Sequence, residues 1–149
     1  MRYKHTQIGW VMLVCCAAGV ALILAIERSL PPHAQRQVPS LLLAAIIVAV
    51  MSLLATLTVE VDSHVVRLSF GPGLIRKSFP LVDVAESRPV RNRWWMGWGI
   101  HGTPGRGWLF NVSSFDAVEL TMKNGKIYRI GTDEPQKLND AIQMNLPKS

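Results

Sequence analysis

Between residues 88 and 108 the chain interleaves two side-chain types that together suit one kind of chemistry. Arg88, Arg91, Arg93 and Arg106 are mixed with Trp94, Trp95, Trp98 and Trp108. A guanidinium makes planar, charge-assisted hydrogen bonds to phosphate or carboxylate, and an indole favours the headgroup layer of a bilayer. The mixture therefore suits an anionic phospholipid surface or the surface of a protein partner. Arg88, Arg91, Arg93, Trp94, Trp95 and Arg106 are the candidate contact residues. Basic and aromatic residues also combine in single-strand binders, but no nucleic-acid-binding motif accompanies them, so no nucleic-acid partner is expected. Gly97, Gly99, Gly102, Gly105 and Gly107, with Pro104, make much of the stretch loop or sharply bent strand. The plainer reading places some of these tryptophans in a core, with the glycines permitting tight bends.

Catalytic chemistry has little to stand on. His5, His33, His64 and His101 are scattered, and no zinc spacing, phosphate loop, dinucleotide fingerprint or nucleophile elbow is present. Asp133-Glu134 suits the start of a helix better than a carboxylate pair for acid–base work. Cys15 and Cys16 are adjacent inside an apolar run, where they read as small packing residues rather than a metal, redox or disulfide pair. The expectation is a non-enzymatic protein with no catalytic residue, metal or cofactor, and a membrane enzyme is the remote alternative.

The elements that must position the Arg/Trp stretch divide the chain in two. Its 149 residues are 49% hydrophobic and only 17% charged, apolar for a soluble protein. Residues 1–59 hold four Lys/Arg and one acid, Glu27, whereas residues 60–149 hold twelve Lys/Arg and nine acids. The net charge of +6 points to an anionic neighbour. For a membrane chain the nearest is acidic phospholipid, although topology and solubility are the plainer account of the charge.

Residues 8–26 and 39–57 are two charge-free apolar runs of 19 residues each. A helix of that length spans about 28 Å, close to the hydrocarbon thickness of a bilayer. Two such spans make an antiparallel hairpin, so residues 1–57 read as an N-terminal tail and transmembrane hairpin. A signal peptide is rejected, because the first run exceeds the usual apolar region and no cleavage site follows. Small residues recur at helical spacing, Ala17/Ala21/Ala25 and Ala45/Ala49, as in closely packed helix pairs. Neither run carries the ionisable residue that ion pathways and transport sites need. Arg2 and Lys4 before the first run, with Arg67, Arg76 and Lys77 after the second, outweigh Arg28 and Arg36 between them. That bias puts both termini in the cytoplasm.

From residue 58 the hydrophobic period changes to two. Residues 57–61, 65–70, 74–79, 81–85 and 108–112 read as strands, broken at Asp62-Ser63-His64 and at Gly71-Pro72-Gly73. Around Lys123-Asn124-Gly125, a three-residue loop with Gly125 left-handed would pair Val118 with Ile130, Leu120 with Tyr128, and Glu119 with Arg129. A helix over about 133–146 follows, capped by Thr132 or Asp133, with Leu138, Ala141, Ile142 and Leu146 on one apolar stripe. A small all-β barrel capped by that helix, over residues 58–149, buries the stripe most simply.

The 93–100 segment, the Asn124-Gly125-Lys126 turn and the run Ile130-Gly131-Thr132-Asp133-Glu134-Pro135 resemble bacterial pleckstrin-homology-like domains attached to two transmembrane helices. The resemblance covers roughly residues 58–146. It implies a barrel of about seven strands closed by a C-terminal helix in the bacterial cytoplasmic (inner) membrane, in a family mostly of unknown function. Phosphoinositide binders of the wider superfamily carry a basic cluster in the first strand pair; here residues 59–70 hold Arg67 alone among Lys and Arg, with Glu60 and Asp62 nearby. The expected function is a membrane-anchored scaffold that presents its domain to a membrane-protein partner or to a second copy in a homo-oligomer. An anionic-lipid sensor using residues 88–108 is the alternative.

Overall fold

The computed structural model describes residues 3–32, 39–93, 97, 99–103, 105 and 107–147. The chain opens with a strand, β1 (Tyr3–Ile8), and turns at Gly9 directly into the helix α1 (Trp10–Ser29). A second apolar helix, α2 (Ser40–Leu54), returns antiparallel to the first, and after Ala55 alone the chain becomes β2 (Thr56–Val61). Then come β3 (Val65–Phe70), β4 (Ile75–Pro80), a short 3-10 turn (Leu81–Asp83) and β5 (Val84–Arg91). The strands β6 (Gly99–Thr103), β7 (Gly107–Asn111), β8 (Asp116–Met122) and β9 (Ile127–Gly131) precede the closing helix α3 (Pro135–Asn145).

By length and composition α1 can cross a membrane; α2 is apolar but shorter, at 15 residues. The helices differ from the expected runs for a definite reason. Ile8 at one end and Leu57 at the other belong to strands, because Gln7 pairs with Leu57 and Ile8 with Thr56 in one antiparallel ladder. Leu57 is fully buried in the sheet domain. A hydropathy window cannot separate apolar residues that face lipid from those that face a core.

Nine strands are described, and they form two sheets rather than one closed barrel. The first has the order β1-β2-β3-β4, all antiparallel; the second has the order β5-β8-β9-β7-β6, with β7 and β9 parallel. The expected closure fails because backbone pairing does not continue from one sheet to the other. The sheets meet instead through side chains. Alternate residues of β2 and β3, namely Leu57, Val59, Val61, Val66, Leu68 and Phe70, face Phe110, Val118, Leu120 and Ile130 of the second sheet. Leu138, Ala141 and Ile142 of α3 seal this core, as the stripe predicts.

The hairpin at residues 123–125 has the expected register, with Val118 opposite Ile130, Glu119 opposite Arg129, and Gly125 at φ 80°. One other reading needs correction. Residues 81–85 are not one strand: Leu81 starts a 3-10 turn, and β5 begins at Val84 with a bulge before Glu86. The glycine-rich region, read as loop or sharply bent strand, contributes the β6–β7 hairpin.

Candidate functional site

The Arg/Trp stretch is split by the fold. Arg88, Glu119, Arg129, Leu109 and His101 stand in cross-strand register over β5, β8, β9, β7 and β6, on the face away from the main core. Glu119 is only 3% exposed, and two guanidiniums compensate it. Arg88 donates to Oε1 from Nε at 3.0 Å and Nη2 at 2.6 Å; Arg129 holds Oε2 with Nε and Nη2, each at 2.7 Å. Burial opposes ionisation of Glu119, but these bonds outweigh it and hold the carboxyl below its usual range. Arg129 also donates to Asn92 Oδ1 at 3.2 Å.

Of the six residues singled out from the sequence, Arg88 is therefore engaged with a buried carboxylate. Arg91 is 79% exposed, with its Nε 3.9 Å from Asp116 Oδ1. Arg93 is exposed. Trp94, Trp95 and Arg106 lie outside the described residues. Trp108 is exposed on β7 rather than packed in the core.

An open concavity lies on the other sheet. The outward residues of β1 to β4 form two registered rows, Thr6, Thr58, Ser69 and Arg76 below Lys4, Glu60, Arg67 and Ser78. They line an open trough of about 760 Å³. Thr6 and Thr58 share a hydroxyl hydrogen bond of 2.8 Å. Lys4 pairs with Glu60 at 2.7 Å, and Arg67 pairs with Asp62 at 2.8 Å. Arg76 Nε donates to the Gly73 carbonyl at 2.5 Å. Among the described residues, no acidic group lies within ion-pair distance of Arg76 or Lys77. The trough is thus a hydroxyl-rich floor with surplus positive charge at one side, chemistry that accepts phosphate or carboxylate.

The trough stands at a fixed place relative to the helices. Gly9 N–H donates to the Ala55 carbonyl at 2.6 Å. Gly71, at φ 51°, lies so close to the end of α2 that a Cβ there would sit 2.7 Å from the Ser52 oxygen. Ser113 Oγ donates to the Ile8 carbonyl at 3.1 Å. Inward residues of β1 fasten the opposite side. Gln7 Nε2 donates to the Gly131 carbonyl at 3.0 Å, and His5 Nε2 is 2.6 Å from Asp133 Oδ1. The Tyr3 hydroxyl is buried without a hydrogen-bond partner among the described residues, and burial, aided by Glu134, pushes its pKa up to about 12.

Compared with protein-family models, with curated proteins and with solved structures, this chain matches none. Lys4 and Thr6 are the residues that sequence reasoning missed. Tyr3 to Ile8 carries polar residues at both parities, so no alternation marks it as a strand. The outward hydroxyls of β2 and β3 were visible as alternation.

Proposed function

We propose that this chain is a membrane-anchored, non-enzymatic interaction module that presents its sheet domain rigidly at the cytoplasmic face. The observation that carries the reading is the Gly9 to Ala55 hydrogen bond at the end of the β1–β2 ladder. Each connection between sheet and helix is one residue long, which favours a fixed mount over a flexible tether. The same pairing supports two spans. β1 precedes α1 and β2 follows α2 within one sheet, so a chain that crosses in α1 has to cross back in α2. Leu22, Val14, Leu41 and Leu42 are exposed on the helices, as lipid-facing residues would be. At 15 residues α2 spans about 22 Å, a mismatch that local thinning of the bilayer accommodates.

The partner we favour is a membrane protein or a second copy of this chain, bound at the trough of the first sheet. Assignment of the domain to the pleckstrin-homology-like class goes with this reading, supported by the antiparallel first sheet and the capping C-terminal helix. The anionic-lipid alternative draws on Arg91 and Arg93, which are exposed, while Arg88 is committed to Glu119.

A photo-crosslinking residue at Ser69 in native membranes, followed by mass spectrometry, tests the partner. Adducts to one membrane protein or to the chain itself support the module reading; lipid adducts with no protein adduct would remove the trough as the partner site. A reporter fused after Ser149 tests the topology. Activity on the periplasmic side would overturn the cytoplasmic assignment.

A further inference from the structure

The underside of the sheet domain grades from apolar to charged as it leaves the helices. Ile8, the last residue of β1, faces outward and is exposed. Two residues up on the same face comes the Thr6, Thr58, Ser69 and Arg76 row, and two further the Lys4, Glu60 and Arg67 row. Successive rows on one strand face are about 7 Å apart. That sequence of apolar, hydroxyl with arginine, then charged matches the order of acyl chains, phosphate layer and water across a bilayer interface.

Two turns beside the helix ends carry the same signature. The β3–β4 turn is pinned by Gly71 against the Ser52 and Leu53 carbonyls. Three residues later it exposes Leu74, which is 76% accessible. On the α1 side, Val112 touches Gly9, Ser113 bonds Ile8, and Phe115 is 43% accessible. Large apolar side chains displayed at this height have a cost in water that insertion into acyl chains removes. Arg76 and Lys77 follow Leu74 after Ile75, opposite Ser69 and Leu68 of β3, at the level where lipid phosphates would lie.

We propose that Ile8, Leu74 and Phe115 are immersed in the bilayer that the hairpin crosses, with Arg76 and Lys77 against its anionic phospholipid headgroups. The base of the domain is then a second membrane-contact surface, separate from the helices and from the 88–108 stretch. The proposal rests on the membrane reading of the hairpin. The apolar turns would also supply at the sheet end part of the depth that the short α2 lacks.

The test uses the full chain with Cys15 and Cys16 replaced by alanine, reconstituted in vesicles of phosphatidylcholine and phosphatidylglycerol. Single variants Leu74→Cys, Phe115→Cys, Leu22→Cys and Asn124→Cys carry an environment-sensitive fluorophore, and nitroxide-labelled lipids serve as quenchers. Asn124 lies in the turn at the far end of β8. The expected result is strong quenching and blue-shifted emission at positions 74, 115 and 22, with neither at 124. Arg76→Glu with Lys77→Glu should weaken quenching at 74 while leaving 22 unchanged. Quenching at 22 without quenching at 74 and 115 would overturn the proposal and leave the membrane reading standing. No quenching at any position would overturn both.

Discussion

The Gly9 amide meets the Ala55 carbonyl at 2.6 Å where two neighbouring strands both turn into helices. Six cross-strand pairs, from Tyr3 opposite Val61 to Ile8 opposite Thr56, lead up to that bond. The helical hairpin is therefore an insertion between two adjacent strands, not an appendage ahead of a domain.

Removal of residues 1–8 should unfold the sheet domain rather than trim a tail. It strips the ladder partner of β2, and it removes His5 and Gln7 from their bonds to Asp133 and Gly131. Hydrogen exchange on the truncated, membrane-reconstituted chain is the measurement. Loss of protection throughout β2 and β9 is expected; protection equal to the full chain would show that β1 is dispensable.

Gly71→Ala should destabilise the joint by about 2 kcal/mol, from a left-handed backbone and a crowded Cβ acting together. Gly71 has φ 51°, with the Ser52 oxygen 2.7 Å from the added carbon. Gly102→Ala is the control, since its φ is not positive and open space surrounds it. Thermal midpoints in detergent should fall for the first variant and scarcely move for the second.

Glu119→Gln leaves the nearly buried Arg129 without its carboxylate, at a cost of about 3 kcal/mol. Arg129→Ala should be comparably damaging because Glu119 is then half compensated, and Arg88→Ala milder because Arg88 is solvent-exposed. The folded-state pKa of Glu119 is depressed, so its contribution is fully present above the ordinary carboxylate range. It is lost as pH falls through the lowered value. Chemical denaturation on both sides of that range should show an acid-side loss that disappears in Glu119→Gln.

Tyr3 provides the alkaline counterpart. Its phenol is shifted from 10.0 to about 12, so folding favours the protonated form. The stability tied to it is complete below pH 10 and falls as pH rises from 10 toward 12. Ultraviolet titration should show one phenolate appearing near the upper value in the folded chain. Tyr3→Phe should remove that phase; a variant with an unchanged titration would contradict the assignment.

Local chemistry was the legible part of this protein. The Asn124-Gly125 turn, its register, the α3 stripe and the turn at residues 71–73 follow from residue type and spacing alone. The apolar character of α1 was equally plain. The missing information was long-range. Nothing in Tyr3 to Ile8 marks a strand, because its inward residues, Tyr3, His5 and Gln7, are polar, and His5 and Gln7 bond to a segment more than a hundred positions away. Arg88 looked like an exposed contact residue because its partner, Glu119, comes from a neighbouring strand 31 residues on. The pairing of Glu119 with Arg129 was legible, since both lie on one hairpin; the third member of the cluster was not.

The place of β1 before the helices also sets an order of events during synthesis. The first strand leaves the ribosome well before its ladder partner exists, and the whole apolar hairpin is made in between. β1 has to wait, unpaired and on the side where the rest of the domain will arrive, until β2 emerges from α2. On the proposed two-span reading, completion of the fold depends on the hairpin returning to the side it left, and a copy whose hairpin does not return keeps β1 from β2 and leaves the core open.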